Sequence, residues 1–281
     1  LFKKVVVADN CALIVNQIFD SADSYNGSTL FLGALFFSFQ IYGDFSGYSD
    51  MAIGIARVFG INLMRNFAFP YFAQNMADFW KHWHISLSTW FRDYIYIPLG
   101  GSRRGTVLTI RNVFLVFLLS GLWHGANWTF VLWGLVHAIL LVSYIIFKER
   151  YPAMENKPEL SAGISRIREG LSIGGTFFLT TLTWVLFRAD NIHVAKDIFQ
   201  KILSFSLLET PDMPNLPVVI MPFIMILFLV SVEWISRKKE HALEFLGTAW
   251  PRTLRWGFYC IILTCIYFFG GPKQDFIYFQ F

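Results

Sequence analysis

Two histidines of the 281-residue chain stand where an imidazole could move a proton, His124 and His84. His124 lies in Leu118-Leu119-Ser120-Gly121-Leu122-Trp123-His124-Gly125-Ala126-Asn127-Trp128, a run otherwise suited to lipid, with a glycine three residues before it and another directly after. A titratable ring at membrane depth costs free energy unless it is partnered, so the default reading is a functional site. The competing reading is a histidine that donates one hydrogen bond between packed helices. Lacking Cβ, the two glycines let another backbone or a ligand come close.

His84 follows His82 by two residues, a spacing that suggests a metal site. On one helix, however, such side chains point about 200° apart and cannot chelate together. A wheel over residues 76 to 95 puts Met76, Phe79, Trp80, Trp83, Leu87, Trp90, Phe91 and Tyr94 on one stripe, with Asp78, Lys81, His82, Thr89, Arg92 and Asp93 opposite. That pattern predicts a single amphipathic helix along the interface or against a bundle, ended by Pro98. His82 then falls on the solvated face. His84 falls at the border of the stripe and faces the bundle, where a structural role competes with a catalytic one.

The sharper hypothesis pairs the two rings. A neutral imidazole near its ordinary pKa can take the proton of a hydroxyl as it attacks, an action typically worth about 10²- to 10⁴-fold. The second ring can orient the acceptor or steady an oxyanion. His124 is therefore the candidate base and His84 its assistant. Trp83, Trp123 and Asn127 beside them are candidate substrate contacts. Arg92 and Asp93 either hold a polar group of substrate or form an interfacial ion pair. Asp44 and Asp50 need partners or water if buried, and Asp50 is a further candidate substrate contact. No serine-nucleophile elbow, phosphate-binding loop or zinc signature is present, so no metal and no bound cofactor are expected.

The elements that must carry these residues are those of a membrane protein. The chain is 55% hydrophobic and 19% aromatic with only 15% charged residues, and its mean hydropathy is +0.50. A soluble domain of this length needs more charge on its surface. Thirty-one Phe, ten Trp and eleven Tyr suit interfacial belts and aromatic-lined cavities. The net charge of +4 is spread out, without the basic tracts that suggest nucleic acid. Cys11, Cys260 and Cys265 form no disulfide framework.

Residues 5 to 19 are too short and too polar for a span and predict a short or tilted helix packed inside protein. Residues 43 to 50, Gly-Asp-Phe-Ser-Gly-Tyr-Ser-Asp, read as a polar break between 30 to 42 and 51 to 61, either a cavity wall or a surface loop. Residues 113 to 122 lead into His124. Spans are expected at 128 to 147, 171 to 187, 218 to 235 and 254 to 270, with an amphipathic piece at 192 to 203. Basic loops at 100 to 111, 148 to 170 (Lys157 among its charges) and 236 to 253 are expected in the cytoplasm and the C-terminus outside. The opening Leu-Phe-Lys-Lys, without an initiator Met, is expected to mark an N-terminally truncated fragment, with residues 1–281 forming one membrane-embedded domain.

Residues 79 to 101, from Phe79-Trp80-Lys81-His82-Trp83-His84 through Arg92-Asp93-Tyr94 to Pro98-Leu99-Gly100-Gly101, and then Leu119-Ser120-Gly121-Leu122-Trp123-His124-Gly125, resemble the membrane-bound O-acyltransferase family. Within it the chain is similar to the branch of bacterial alginate O-acetyltransferase membrane subunits, as are Phe45-Ser46-Gly47-Tyr48-Ser49-Asp50 and the opening Leu-Phe-Lys-Lys. The matching motifs lie within about residues 1 to 137.

The resemblance implies an all-α, polytopic membrane enzyme in which amphipathic interfacial helices surround a funnel or tunnel. Acyl groups from a cytoplasmic thioester such as acetyl-CoA would move toward the hydroxyls of an exported polysaccharide. The family's membrane-embedded histidine falls on His124, and the second histidine of this branch on His84. A periplasmic acyltransferase of the export complex is the implied partner, and the bacterial inner membrane the implied location. The alternatives are D-alanyl transfer to teichoic acid and a non-catalytic transporter.

Overall fold

The computed structural model describes residues 1–151, 162–213 and 216–277. Regular structure among them is helical throughout, and the chain forms two compact units, Leu1–Ala68 with His193–Phe281, and Phe69–Ile192. The helices are α1 (Asp9–Asp20), α2 (Gly27–Val58), α3 (Met76–His82), α4 (Ile85–Phe91), α5 (Thr106–His124), α6 (Trp128–Arg150), α7 (Ala162–Arg188), α8 (Ile192–Ile202), α9 (Leu216–Ser236), α10 (Glu244–Ala249) and α11 (Arg252–Phe269).

Four helices among the described residues are long and apolar enough to cross a bilayer: Thr106–His124, Trp128–Arg150, Gly163–Arg188 and Val218–Ser236. Their spans contain three of the expected ones. The fourth expected span, 254 to 270, is helical in α11, but arginines 252 and 255 in its first turn leave it outside this group. Within the basic loop 148 to 170, residues 152–161, Lys157 among them, lie outside the described residues, as do the last four residues of the chain.

In the first unit, the opening segment runs as a π-helix over Phe2–Ala8 and continues into α1, with Val6, Val7, Ala8, Cys11 and Val15 essentially inaccessible. This is the short helix packed inside protein that its polar interruptions predict. The expected break at residues 43 to 50 does not occur: α2 is one helix of 32 residues, capped at its start by the Asn26 side chain, which accepts from Thr29 N–H at 3.0 Å. What makes a polar stretch tolerable inside that helix is the π-helical segment laid against it. Lys4 Nζ sits 2.8 Å from Asp44 and 2.9 Å from Asp9, and Lys3 Nζ bridges Asp50 at 3.0 Å and Glu233 at 3.1 Å. Tyr42 donates to Glu233 at 2.7 Å, and Asp44 accepts the Ile277 N–H at 2.7 Å. Burial works against the charge on Lys4, but hydrogen bonds and attraction from Asp44 and Asp9 more than offset it and raise its pKa. Gly43 permits the approach, since a Cβ there would stand 2.7 Å from the Lys3 carbonyl oxygen.

The same segment anchors the end of the chain. Asn10 donates to the Phe269 carbonyl at 2.9 Å and Gly271 N–H to the Val5 carbonyl at 2.8 Å. Helix α8 is the expected amphipathic piece, burying Ala195, Ile198 and Ile202 at spacings of three and four.

The second unit holds α3 to α7. Helices α5 and α6 form an antiparallel hairpin whose backbones nearly touch at two glycines: a Cβ on Gly121 would collide with the Phe130 carbonyl, and one on Gly134 with the Phe117 carbonyl. Gly121 thus serves the close helix approach that its place beside His124 predicts. The Asn127 side chain caps α6, accepting from Thr129 N–H at 3.1 Å.

Candidate functional site

The helix expected over residues 76 to 95 is broken at the residue that matters. Helix α3 stops at His82, Trp83 is extended (φ −104°, ψ 129°), His84 is left-handed (φ 44°, ψ 55°), and α4 starts at Ile85. A residue other than glycine in this conformation costs on the order of 1–3 kcal/mol and persists only where its surroundings over-determine it. The wheel therefore does not relate His82 to His84. His82 Nδ1 lies 2.8 Å from the Asp78 carbonyl in the last turn of α3, whereas the kink turns His84 inward, to 8% exposure. The apolar stripe divides accordingly: Met76, Phe79, Trp83 and Phe91 are buried, and Trp90 and Tyr94 are exposed.

His124 is the last residue of α5, and the Gly121 contact holds that end of the helix against α6. Its ring is packed edge-on by Trp133 at 5.2 Å and Phe187 at 5.1 Å, centroid to centroid. The Trp123 indole meets both imidazoles: His124 at 5.0 Å and 76°, His84 at 6.3 Å and 74°. Two rings forty residues apart in sequence are thus brought to one indole, itself half open at 55% exposure. Ser86 Oγ lies 3.4 Å from His84 Nδ1.

Burial pushes the pKa of His84 down to about 4 from its ordinary 6.5. The ring is accordingly neutral at physiological pH, able to accept one hydrogen bond and donate another. Because the folded value is the lower one, the unfolded chain binds the extra proton between about pH 6.5 and 4. The His84 contribution is therefore fully present above 6.5 and is lost progressively as pH falls to 4. Denaturation of the protein and of a His84→Gln variant across this range should show a steeper acid loss in the parent; parallel curves would contradict the assignment.

The remaining candidates are distributed as follows. Trp83 is 2% exposed and packs on Phe79, Trp184 and Tyr71, which makes it core. Asn127 caps α6 and donates to the Asp190 carbonyl at 2.8 Å, so its polar atoms are already engaged. Arg92 and Asp93 pair with each other at 2.7 Å on an exposed π-helical turn, Arg92–Tyr96. Arg92 also lines a cavity of about 240 Å³ with Trp80, Ser88, Tyr96, Phe117 and Ser120. Asp50 belongs to the other unit, where Lys3 holds it. Among the described residues no three His, Cys, Asp or Glu side chains gather as a metal site.

One residue that the sequence reading passed over stands beside these. His137 is fully buried in the middle of α6. The rule that singles out His124, an imidazole within an apolar span, applies to it equally.

The model of the membrane-bound O-acyltransferase family matches residues 2–168. The chain is 44% identical over 203 residues to a protein of Pseudomonas putida named probable alginate O-acetylase AlgI, a match covering 72% of this chain and 39% of the relative. It is 33% identical, over all of its own length and 55% of the relative's, to a Helicobacter pylori protein named peptidoglycan O-acetyltransferase. A Bacillus subtilis protein named teichoic acid D-alanyltransferase is 32% identical over 157 residues, 53% of this chain and 39% of that one. The chain thus spans between about two fifths and just over half of these relatives. With a family match across more than half of its residues and, among the described residues, four helices long and apolar enough to cross a bilayer, the chain belongs to the membrane-bound O-acyltransferase family, a family of multi-pass membrane proteins.

Proposed function

We propose that the protein is a bacterial inner-membrane O-acyltransferase that moves an acetyl group from a cytoplasmic thioester toward a hydroxyl of an exported polysaccharide, with His124 as general base and His84 assisting. The observation that carries this reading is the meeting of the two imidazoles on Trp123. His124 removes the hydroxyl proton as the oxygen attacks the thioester carbonyl; the C–S bond breaks as the ester forms, and the proton passes to the departing thiolate. His84, neutral and fixed by its kink, donates to the carbonyl oxygen as negative charge develops there. Trp123 forms the wall on which the reacting groups lie. The basic loops face the cytoplasm and the C-terminal end the exterior in this arrangement. A periplasmic acyltransferase completes delivery to the polymer.

Similarity to relatives named for alginate and for peptidoglycan supports a polysaccharide acceptor. The relative named for teichoic acid keeps D-alanyl transfer as the second reading. The test uses the protein in nanodiscs, with and without the periplasmic acyltransferase of the export complex, with acetyl-CoA and, in parallel, alginate oligomers or peptidoglycan fragments. Thiol release matched by acetyl ester on either glycan is expected. Transfer only from a D-alanyl-carrier thioester would select the second reading, and no transfer from any thioester would reject both.

A further inference from the structure

His137 is 0% exposed, and neither ring nitrogen has a hydrogen-bond partner in the protein. Around it stand Trp133 at 4.7 Å, Trp80 at 5.0 Å and Trp184 at 6.5 Å, with Phe79 and Phe117 parallel to its plane to within 13°. The indole nitrogens of Trp80, Trp133 and Trp184 are also buried without a protein partner. Each indole offers only a donor, and a neutral imidazole one donor and one acceptor. These groups therefore carry four donors against one acceptor and cannot satisfy one another.

A buried polar atom left without a partner costs about 1–3 kcal/mol, and nearly all such atoms in native proteins are paired with protein or ordered water. A surplus of donors in an otherwise apolar cage calls for a small guest rich in acceptor capacity. Water has the required chemistry, since a buried molecule typically makes about three hydrogen bonds. Trp133 connects this cluster to the site: the same indole stands edge-on to His137 and, at 5.2 Å and 88°, edge-on to His124. The indole is also stacked on Trp184.

We propose that His137 is a positioning residue for His124: with the three indole N–H groups it holds a small cluster of buried water, and that cluster fixes the Trp133 ring against which His124 is set. This rests on the reading of His124 as the base. The cage selects water over an anion because it contains no cationic side chain, and over a metal ion because most of its polar atoms are N–H donors.

The protein in nanodiscs is compared with His137→Phe, which keeps a ring but loses both nitrogens, and with His137→Gln, which keeps one donor and one acceptor. The Phe variant should insert normally and lose about ten- to a hundredfold in kcat, by analogy with the loss on removing the hydrogen-bond partners that orient metal ligands, with KM for acetyl-CoA unchanged. The Gln variant should recover most of that loss. X-ray radiolysis in ¹⁸O water, which oxidises side chains next to bound water, should label Trp133 and Trp184 in the parent and spare them in the Phe variant. Wild-type kcat in the Phe variant, equal losses in both variants, or unlabelled indoles in the parent would each overturn the proposal. Normal transfer by His124→Ala would instead remove the base assignment, a failure told apart because the labelling pattern does not depend on it.

Discussion

Replacing His124 by alanine is expected to lower acyl transfer by at least about 10²- to 10⁴-fold while the protein still reaches the membrane in normal amount. The size follows from the role: without a positioned acceptor, the hydroxyl must lose its proton to water as it attacks. The packing cost should be small by comparison, because His124 is the terminal residue of α5 and the residue is only partly buried. The neighbours Trp133 and Phe187 also pack on one another at 5.4 Å. Membrane insertion and thermal unfolding measured beside kcat separate the two effects. A variant that folds and transfers at the parental rate would show that the base lies elsewhere.

The second large effect is on stability. Lys4→Met removes the cation shared by Asp9 and Asp44, whose side chains are each 4% exposed. Breaking a buried ion pair from one side costs about 3–5 kcal/mol, since it leaves charge without compensation. Here one ammonium answers two carboxylates, and Lys4 also donates to the Gln274 carbonyl at 3.3 Å, so the C-terminal anchor weakens with it. Unfolding in detergent should show a marked loss of stability for Lys4→Met and far less for substitution of the exposed Arg57. Equal stability of Lys4→Met and the parent would mean that the carboxylates are satisfied without it.

The physics legible in the sequence was that of long-period patterns. Apolar runs long enough to span gave α6, α7 and α9, and the three- and four-residue spacing of apolar side chains gave α8. The histidine between two glycines marked the end of α5, where Gly121 meets α6. Local departures from those patterns were not legible. A wheel assumes one helix, and nothing in Lys81-His82-Trp83-His84-Ile85 announces a left-handed histidine, because tertiary packing imposes that conformation.

Residues 43 to 50 misled in the opposite sense. Their polarity read as a break because the lysines that neutralise them lie some forty residues away in sequence, at positions 3 and 4. Local composition cannot report such a partner. His137 follows Trp133-Gly134-Leu135-Val136 and lacks the glycine pair that flanks His124, so the sequence marks it less strongly. Its isolation from hydrogen-bond partners appears only in three dimensions.

The central claim is that His84 and His124 act on one reaction, and a double-mutant cycle on kcat tests it most directly. Groups that act as a unit are strongly non-additive. The single variants His84→Ala and His124→Ala should each be severely impaired, and the double variant should be no worse than His124→Ala within about threefold. Losses that simply multiply in the double variant, or a His84→Ala protein as active as the parent, would contradict the account.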